Sequence, residues 1–424
     1  MLQLPVLREQ KEEVIARLAV KNIDARATVE QILSLDAEKR KNQTELESIQ
    51  AEQNAIAKQI GELFRSGKKH EADDLKNKST ALKESSKSLE ERVVSLEQEM
   101  NDILVTLPNT PSPLVPKGKT PEENEVVYLS TDKLPELPAD AKPHWELTSQ
   151  YDIIDFELGN KITGAGFPVY KGKGAKLQRA LINFFLDQAD KAGYYEVQPP
   201  ILINAASGFG TGQLPDKEGQ MYHVTEDGFY LIPTAEVPVT NIFRDEIVKF
   251  ESLPIMYTAY TPCFRREAGS YGAHVRGLNR LHQFDKVEIV QIAHPDKSYE
   301  ILEEMRTYVS GLLHLLELPF RTLRLCGGDM SFASALTYDM EVWSAAQQRW
   351  LEVSSVSNFE TFQANRLKLR YREGNGKPQL AHTLNGSALA LPRIVAAMLE
   401  NNQTPEGIRI PKALIPYTGF DLIN

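Results

Sequence analysis

Cysteines and long apolar runs are scarce in this sequence. Two cysteines, Cys263 and Cys326, are too few for a disulfide framework, and no Cys/His spacing matches a zinc site, so we expect no zinc. No apolar run approaches the ~20 residues that span a bilayer, which predicts no membrane partner. No secretory signal is visible, so we expect a cytoplasmic protein. No glycine-rich loop ends in Gly-Lys-Ser/Thr, which argues against a phosphate-loop nucleotide-binding fold.

The remaining composition is that of an ordinary globular protein with an acidic balance. A chain of 424 residues is long enough for two or more domains and a large core. The net charge of −10 argues against a basic surface that covers the whole protein. A local basic element is still compatible with this charge, because nucleic-acid contact depends on where the charge lies.

The first quarter of the chain carries two heptad seams, which predict an antiparallel two-helix coiled coil over about residues 27–107. The seams are separated at Arg65–Lys69, where Gly67 can adopt a positive φ. The seam positions are Ile32, Leu35, Lys39, Asn42, Leu46, Ile49, Gln53, Ile56, Ile60 and Leu63, then Leu75, Ser79, Leu82, Ser86, Leu89, Val93, Leu96, Met100, Ile103 and Leu107. We therefore expect residues 1–108 to form a protruding helical arm.

The tip of this predicted arm is basic on an acidic protein. Eight Lys/Arg face five acids between Lys58 and Lys87, a balance that suits a phosphate backbone. Six of these cations are candidate contacts for such a backbone: Lys58, Arg65, Lys68, Lys69, Lys76 and Lys78. Simple solvation of an exposed coiled coil explains the same charges, and dimerisation through the arm is a third reading.

The rest of the chain predicts an α+β catalytic domain. Prolines from Pro108 onward stop the second helix, and a proline-rich, acidic connector covers 109–143. From His144 to Asn424, strand-like segments outnumber helices and are joined by hairpin-like connections. This pattern favours an antiparallel β-sheet flanked by helices.

Residues Thr261 to Glu288 read as two strands joined by a glycine-rich loop, Ala268–Gly277. Side chains alternate along a strand, so Arg265 and Glu267 point the same way on the first strand. The return strand from Leu278 to Glu288 carries Arg280, Phe284 and Glu288 on one face. Arginines for phosphate, a ring for a base and a carboxylate for an exocyclic amine together suit a nucleotide. A solvated, amphipathic hairpin is the plainer reading.

Three further segments carry chemistry that fits the same site. Thr234-Ala235-Glu236 places a hydroxyl and a carboxylate at a strand end, although Thr234 as a helix N-cap is the commoner use. Glu352 lies on one of two segments that resemble paired strands, where a buried carboxylate needs a cation or donors. Arg393 follows a small-residue strand that begins near Thr383, at the start of a predicted helix.

Together these segments resemble the seryl-tRNA synthetases of the bacterial type, within the class II aminoacyl-tRNA synthetases. Gly193–Leu202 is similar to the first motif of that class and implies a homodimer. Pro262–Glu288 is similar to the second motif, Asn385–Arg393 to the third, and Thr234–Glu236 to the serine-binding tripeptide. The likeness covers nearly the whole chain, because the arm, the connector and the domain that carries these four motifs occur in the order of that family.

The resemblance implies a role for each matching residue. Arg265, Arg393 and Glu352 are the implied catalytic groups, and Glu352 with Ser355 would anchor Mg²⁺ through ATP. The implied ATP-binding residues are Arg265, Arg266, Glu267, Arg280, Phe284, Glu352, Val353, Ser354, Ser355 and Arg393. The implied serine-binding residues are Thr234, Ala235, Glu236, Arg265, Glu288, Asn385 and Ser387.

The implied reaction is ATP-dependent activation of L-serine to seryl-adenylate, followed by transfer to tRNA(Ser), with tRNA(Sec) as an expected second acceptor. The first alternative is a synthetase-like paralogue that activates an amino acid for a non-tRNA acceptor. A non-catalytic coiled-coil protein is disfavoured because Arg265, Glu267, Glu352 and Arg393 are all present. A threonine enzyme is disfavoured because the sequence has no Cys/His metal set, and a proline enzyme because proline has no hydroxyl for Glu288 and Ser387.

Overall fold

The computed structural model describes residues 1–138, 140–216, 218–267 and 276–424 and divides the chain into two compact units. The first unit comprises Met1–Ala19 and Ile23–Pro108, and the second comprises Val20–Asn22 and Asn109–Asn424. Across the described residues, every helix is either too short or too polar to cross a bilayer.

The first unit is helical and confirms the predicted coiled coil. Its helices are α1 (Leu4–Glu9), α2 (Lys11–Val20, whose last residue groups with the second unit), α3 (Arg26–Arg65) and α4 (Lys69–Leu104). At 1.5 Å per residue α3 is about 60 Å long, and it packs along α4. Gly67 turns the chain between them with φ +77°, as the seam break predicts.

The contact between α3 and α4 is apolar along its centre and paired by charges at its sides. Ile32, Leu46 and Leu96 are buried in it. Arg92 on α4 donates to Glu38 on α3 at 2.7 Å. Such exposed pairs add little stability each, so the buried seam holds the two helices together.

The second unit contains nine helices and nineteen strands among the residues described. The helices are α5 (His144–Gln150), α6 (Phe156–Ile162), α7 (Gly172–Lys191), α8 (Ala205–Thr211), α9 (Glu236–Asn241), α10 (Ser298–Leu315), α11 (Thr361–Leu367), α12 (Leu391–Asn401) and α13 (Ile415–Thr418). The strands are β1 (Glu125–Leu129), β2 (Ile154–Asp155), β3 (Val169–Tyr170), β4 (Tyr195–Glu196), β5 (Leu202–Ile203), β6 (His223–Val224), β7 (Phe229–Leu231), β8 (Ile247–Lys249), β9 (Ile255–Phe264), β10 (Gln283–Ala293), β11 (Phe320–Arg324), β12 (Leu336–Ser344), β13 (Arg349–Asn358), β14 (Arg370–Arg372), β15 (Gln379–Leu380), β16 (His382–Ala390), β17 (Gln403–Thr404), β18 (Gly407–Arg409) and β19 (Leu422–Ile423).

An eight-stranded sheet organises this unit, in the order β1-β11-β12-β13-β16-β10-β9-β4. Its neighbouring strands are antiparallel except β4, which pairs parallel with β9 at one edge. The structure confirms the predicted antiparallel sheet flanked by helices. The segment predicted as a connector also contributes to it, because Glu125–Leu129 forms the opposite edge strand.

The two faces of the sheet differ in character because side chains alternate along each strand. On β10, Val287 and Ile289 join the main apolar core, against which α7, α10 and α12 pack. Phe284, Lys286 and Glu288 occupy the alternate positions of the same strand. One face of the sheet is therefore available for a polar site while the other carries the core.

Candidate active site

A cavity of about 520 Å³ lies over the polar face of the sheet. It gathers side chains from segments that are distant in sequence, including the ends of β9 and β10, the centre of β13, and the junction of β16 and α12. Fourteen of the residues selected from the sequence line it: Thr234, Glu236, Arg265, Glu267, Arg280, Phe284, Glu288, Glu352, Val353, Ser354, Ser355, Asn385, Ser387 and Arg393. The structure does not place Ala235 or Arg266 on this cavity; Ala235 packs in a small apolar cluster behind it.

Arg265, Glu267, Arg280 and Phe284, the residues predicted to bind a nucleotide, line one end of the cavity, here called the nucleotide end. Strand alternation, the predicted reason for their convergence, does not explain all of them. β9 ends at Phe264 and β10 begins at Gln283, so the expectation that Arg265, Glu267 and Arg280 lie on strands is wrong. Glu267 instead adopts φ +48° beyond the strand and pairs with the Arg280 guanidinium. Most of the predicted loop, residues 268–275, lies outside the described residues.

Two of the arginines that line the cavity are Arg265 and Arg393. The Arg265 guanidinium lies 5.2 Å from the centre of the Phe284 ring. Arg393, in the first turn of α12, donates from Nε to the Asn279 carbonyl at 2.9 Å and from Nη1 to the Glu352 carbonyl at 2.8 Å. These two main-chain acceptors hold Arg393 in place, and its carboxylate contact is a longer one, to Glu352 Oε2 at 3.8 Å, so the guanidinium can still bind an anion.

The opposite end of the cavity holds two buried carboxylates, Glu236 and Glu288. Glu236, at the start of α9, accepts from the Gln363 amide at 2.6 Å. Burial and the neighbouring Glu288 raise the pKa of Glu236 to about 7, while Gln363, Lys286 and Arg265 oppose that shift. Among the described residues, the hydrogen-bond partner of this carboxylate is therefore a neutral amide and not a close cation.

Glu288 is more completely paired than Glu236. Its Oε2 lies 2.7 Å from Lys286 Nζ, and its Oε1 accepts from the Asn385 amide at 3.1 Å. Ser387 Oγ donates to Oε2 at 3.4 Å. Lys286 Nζ also donates to Thr234 Oγ1 at 2.8 Å, and the Glu236 N–H donates to the same oxygen at 3.2 Å. With both acceptor positions filled, Thr234 has its own proton left to donate to a substrate.

Sequence reasoning missed Lys286 and Gln363. Lys286 carries a usable signal, because it lies two residues from both Phe284 and Glu288 and must share their face on a strand. Gln363 lies on α11, which reaches the site only through tertiary packing. Nothing local to its sequence marks it as functional.

Glu352 and Ser355 offer the hard oxygen ligands that Mg²⁺ prefers. Ser355 faces Asp339 across the β12–β13 pair, and the buried Oδ1 of Asp339 has no hydrogen-bond partner in the part of the chain described. Burial and the adjacent Glu352 raise the pKa of Asp339 above its usual range. An unpaired buried carboxylate oxygen beside Glu352 and Ser355 fits a cation carried in with a polyphosphate. Within the described ranges, His, Cys, Asp and Glu side chains form no group of three around a resident metal.

Comparisons with known proteins agree with this architecture. Residues 222–402 match the family model "tRNA synthetase class II core domain (G, H, P, S and T)", so the sheet and its cavity belong to a class II aminoacyl-tRNA synthetase. Residues 1–111 match the "Seryl-tRNA synthetase N-terminal domain". The serine--tRNA ligases of Salinibacter ruber and Chlorobium phaeovibrioides are 52% and 47% identical to this chain, and each alignment covers 100% of the chain and 99% of the relative.

A solved structure extends the match to three dimensions. The crystal structure of seryl-tRNA synthetase from Pyrococcus horikoshii complexed with ATP superimposes with a TM-score of 0.94 at 33% identity, covering 100% of this chain and 99% of that one. The chain belongs to the serine--tRNA ligase family. The match to the N-terminal domain model gives the paralogue alternative no support.

Proposed function

We propose that this serine--tRNA ligase performs both of its steps in the cavity over the polar sheet face. The single observation that carries the proposal is that one cavity brings Arg265 and Arg393 together with the buried carboxylates of Glu236 and Glu288. ATP would lie along Arg265, Phe284 and Arg393, and serine would lie against Glu236 and Glu288. The serine carboxylate then attacks the α-phosphorus, and pyrophosphate leaves. A ribose hydroxyl of tRNA next attacks the seryl carbonyl carbon of the adenylate, and AMP leaves as the ester forms.

Each residue at the nucleotide end has a chemically matched task. Arg265 would neutralise charge on the α-phosphate as the serine carboxylate approaches. Phe284 would stack the adenine, and Glu267 would accept from its amine. Arg280 and Arg393 would hold the γ-phosphate end, which requires the exposed Arg280 to leave its pair with Glu267. Positioning and charge neutralisation supply the acceleration, so no covalent nucleophile is needed.

Glu352 and Ser355 would hold Mg²⁺, which would supply positive charge to the phosphates as pyrophosphate leaves. The main-chain carbonyl of Glu352 also binds Arg393, so the two phosphate-binding elements share one residue of β13. The Glu352 side chain is half exposed, and its Oε2 lies 3.8 Å from Arg393 Nη1, a long contact that it would exchange for the cation. Val353 and Ser354 line the same wall and complete the proposed ATP-binding set.

The serine end supplies a cation site and a hydroxyl site. Glu236 would pair with the substrate ammonium, and Glu288 with Ser387 and Asn385 would surround the hydroxyl. An amino acid that lacks the hydroxyl would forgo the hydrogen bonds that these groups can offer, which lowers its kcat/KM relative to that of serine. This is a physical reason for preferring serine over alanine.

Replacement of Arg265 by Ala tests this assignment. We expect serine-dependent ATP–pyrophosphate exchange to fall below a few per cent of wild type, because the developing charge on the α-phosphate loses its counter-ion. The control is Arg372→Ala, which removes an exposed arginine of β14 outside the cavity and should leave exchange unchanged. Near-normal exchange by the Arg265 variant would contradict the phosphate role.

The helical arm is proposed to bind tRNA(Ser), and tRNA(Sec) as a second acceptor. Lys58, Arg65 and Lys69 are exposed near the turn between α3 and α4. Lys68, Lys76 and Lys78 are exposed too, although each also pairs with an acid of the arm. These cations can exchange protein or solvent partners for phosphate oxygens.

Charge reversal separates tRNA binding from catalysis. Replacing Lys58, Arg65 and Lys69 together by Glu should leave pyrophosphate exchange intact and raise the KM for tRNA(Ser) at least tenfold. The matched control reverses exposed lysines of the catalytic unit, Lys377 and Lys412. Equal charging by both variants would mean that the arm tip does not contact tRNA.

We also propose a cytoplasmic homodimer. Tyr195 on edge strand β4 is 67% exposed, and Leu202 on β5 is 44% exposed, within the segment similar to the first class II motif. Large exposed apolar side chains at a sheet edge suit burial against a second copy. Sedimentation equilibrium should give twice the chain mass, and a monomer at micromolar concentration would refute this part of the proposal.

A further inference from the structure

Lys286 is buried at the centre of the serine end of the cavity. It lies on β10 between Phe284 and Glu288, on the face that both share. Its side chain is only 6% exposed. A buried ammonium is costly unless it is paired and hydrogen-bonded, so its position needs an explanation.

The contacts of Lys286 are selective. Its Nζ lies 2.7 Å from Glu288 Oε2 and 2.8 Å from Thr234 Oγ1. Glu236, the other buried carboxylate, is instead bound by the neutral amide of Gln363. The single lysine of this end therefore neutralises one of the two carboxylates and not the other.

This difference assigns the two carboxylates to different substrate groups. An amino acid brings one ammonium into the site, and Glu236 is the carboxylate without a close cation to receive it. Glu288 is already neutralised by Lys286 but keeps lone pairs free, since a carboxylate can accept about four hydrogen bonds. A neutral donor such as a hydroxyl can bind there, whereas a second cation would meet Lys286 at close range.

We propose that Lys286 is a specificity-determining residue that neutralises Glu288 in advance, so that the side-chain pocket accepts a hydroxyl and rejects an amine. The inference rests on the proposed function, because it assumes that serine lies between Glu236 and Glu288. It explains why a site with two buried carboxylates does not select a diamino acid. The same ammonium donates to Thr234 Oγ1, so it connects Glu288 with the segment that carries Thr234 and Glu236.

The test compares serine with 2,3-diaminopropionate, in which an amine replaces the hydroxyl. The measured quantity is the ratio of the two kcat/KM values in amino-acid-dependent pyrophosphate exchange. Lys286→Met keeps the length of the side chain and removes its charge. We expect this variant to lower the serine-to-diaminopropionate ratio roughly tenfold or more, because Glu288 then attracts a cation.

Two further variants test the direction of the change in this ratio and whether the preference for serine can be recovered. Glu288→Gln leaves Lys286 unpaired, so the ratio should stay at or above the wild-type value. The double variant Lys286→Met/Glu288→Gln removes both charges and should recover the preference for serine to within a few-fold of wild type. It also removes the unpaired buried charge that could prevent the single variants from folding, so thermal melting is recorded for all three.

The outcomes distinguish this inference from the proposed function. A Lys286→Met variant with an unchanged ratio, or a double variant that fails to recover the preference for serine, would overturn the role of Lys286. The proposed site itself would be contradicted by a different result, namely near-normal exchange by the Arg265→Ala variant. Loss of serine-dependent exchange in Lys286→Met, with recovery in the double variant, would support the pairing of Lys286 with Glu288.

Discussion

Glu400 should anchor the active site from behind, and its replacement by Ala is the most informative stability test. Glu400 lies near the end of α12 and is fully buried. Its Oε1 accepts from the main-chain N–H and Nδ1 of His144 at 3.0 and 2.7 Å and from Gln347 Nε2 at 2.9 Å. The Ser344 hydroxyl donates to Oε2. Burial alone would raise the pKa of Glu400, but the bonds from His144 and Ser344 hold it below its ordinary value.

The size of the effect follows from the three donors that Oε1 satisfies. An unsatisfied buried donor costs about 1–3 kcal/mol, so Glu400→Ala should cost about 5 kcal/mol of unfolding free energy. The catalytic unit has on the order of 300 residues. At about 2.1 cal/mol/K per residue, its unfolding entropy is about 0.6 kcal/mol/K, which converts 5 kcal/mol to a Tm decrease of about 8 °C.

Scanning calorimetry at one fixed scan rate measures this shift, and Glu400→Gln is the matched control. Glutamine can keep a carbonyl oxygen at the Oε1 position, so its decrease in Tm should be less than half as large. A Glu400→Ala variant that melts within about 2 °C of wild type would refute the network, because a desolvated donor cannot lose its acceptor at no cost.

The same network should couple stability to ATP binding. His144 Nε2 accepts from the main-chain N–H of Leu278 at 2.9 Å, and Gln347 accepts from Asn279 Nδ2 at 2.9 Å. The Asn279 carbonyl in turn holds Arg393. We therefore expect Glu400→Ala to raise the KM for ATP more than the KM for serine in pyrophosphate exchange. An equal rise in both would mean that the network only supports the fold.

Three further predictions follow from single buried groups. Because the pKa of Glu236 is about 7, its carboxyl gains a proton as pH falls below 7, so kcat/KM for serine should fall there, and Glu236→Gln should remove that dependence in a pH profile. Lys21 donates at 2.9 Å to the carbonyl of Ser331, which lines the cavity, and at 2.8 Å to the carbonyl of Ser334 nearby, so Lys21→Met should raise the KM for substrates several-fold; unchanged KM values would exclude this positioning role. Asp36 accepts two bonds from Arg8, which lower its pKa, so this stabilisation is present above the ordinary carboxyl pKa and is lost as pH falls through the lowered value; Asp36→Ala should abolish that acid sensitivity in circular dichroism of the helices.

The coiled coil is the part of the fold that sequence predicts best, because its information is local. Residues three and four apart lie on one face of a helix, so the seam from Ile32 to Leu63 defines α3 without knowledge of anything else. The break at Gly67 is equally local, since glycine adopts φ +77° at little cost. The helix ends found in the structure, Arg65 and Lys69, coincide with the predicted break.

The strand-borne part of the site is predictable for a similar reason. Period-two alternation places Phe284 and Glu288 on one face, and β10 confirms this arrangement. Arg280 does not follow the rule, because it precedes the strand and reaches the cavity from a turn. Its position depends on a chain path that side-chain periodicity does not encode.

Partners of buried polar groups are the part that sequence cannot supply. Gln363 meets Glu236 across 127 positions of sequence, and His144 meets Glu400 across 256. The sequence around each of these residues does not mark it as important, and its role is visible only from the hydrogen bond that it makes with its partner. Lys286 lies between these cases, because its face is predictable but its choice of Glu288 over Glu236 is not.

The distribution of unpaired charge in the cavity indicates where substrate charges belong. Where a buried charge already has a counter-charge, as in the Lys286–Glu288 pair, the substrate can offer only a neutral donor or acceptor. Where a buried carboxylate has only a neutral partner among the described residues, as Glu236 does, the substrate can complete the pair. Binding energy gained by completing such a pair is largest where water is excluded. The proposed assignment therefore places the substrate ammonium at the carboxylate bound by a neutral amide, and the substrate hydroxyl at the carboxylate already paired with Lys286.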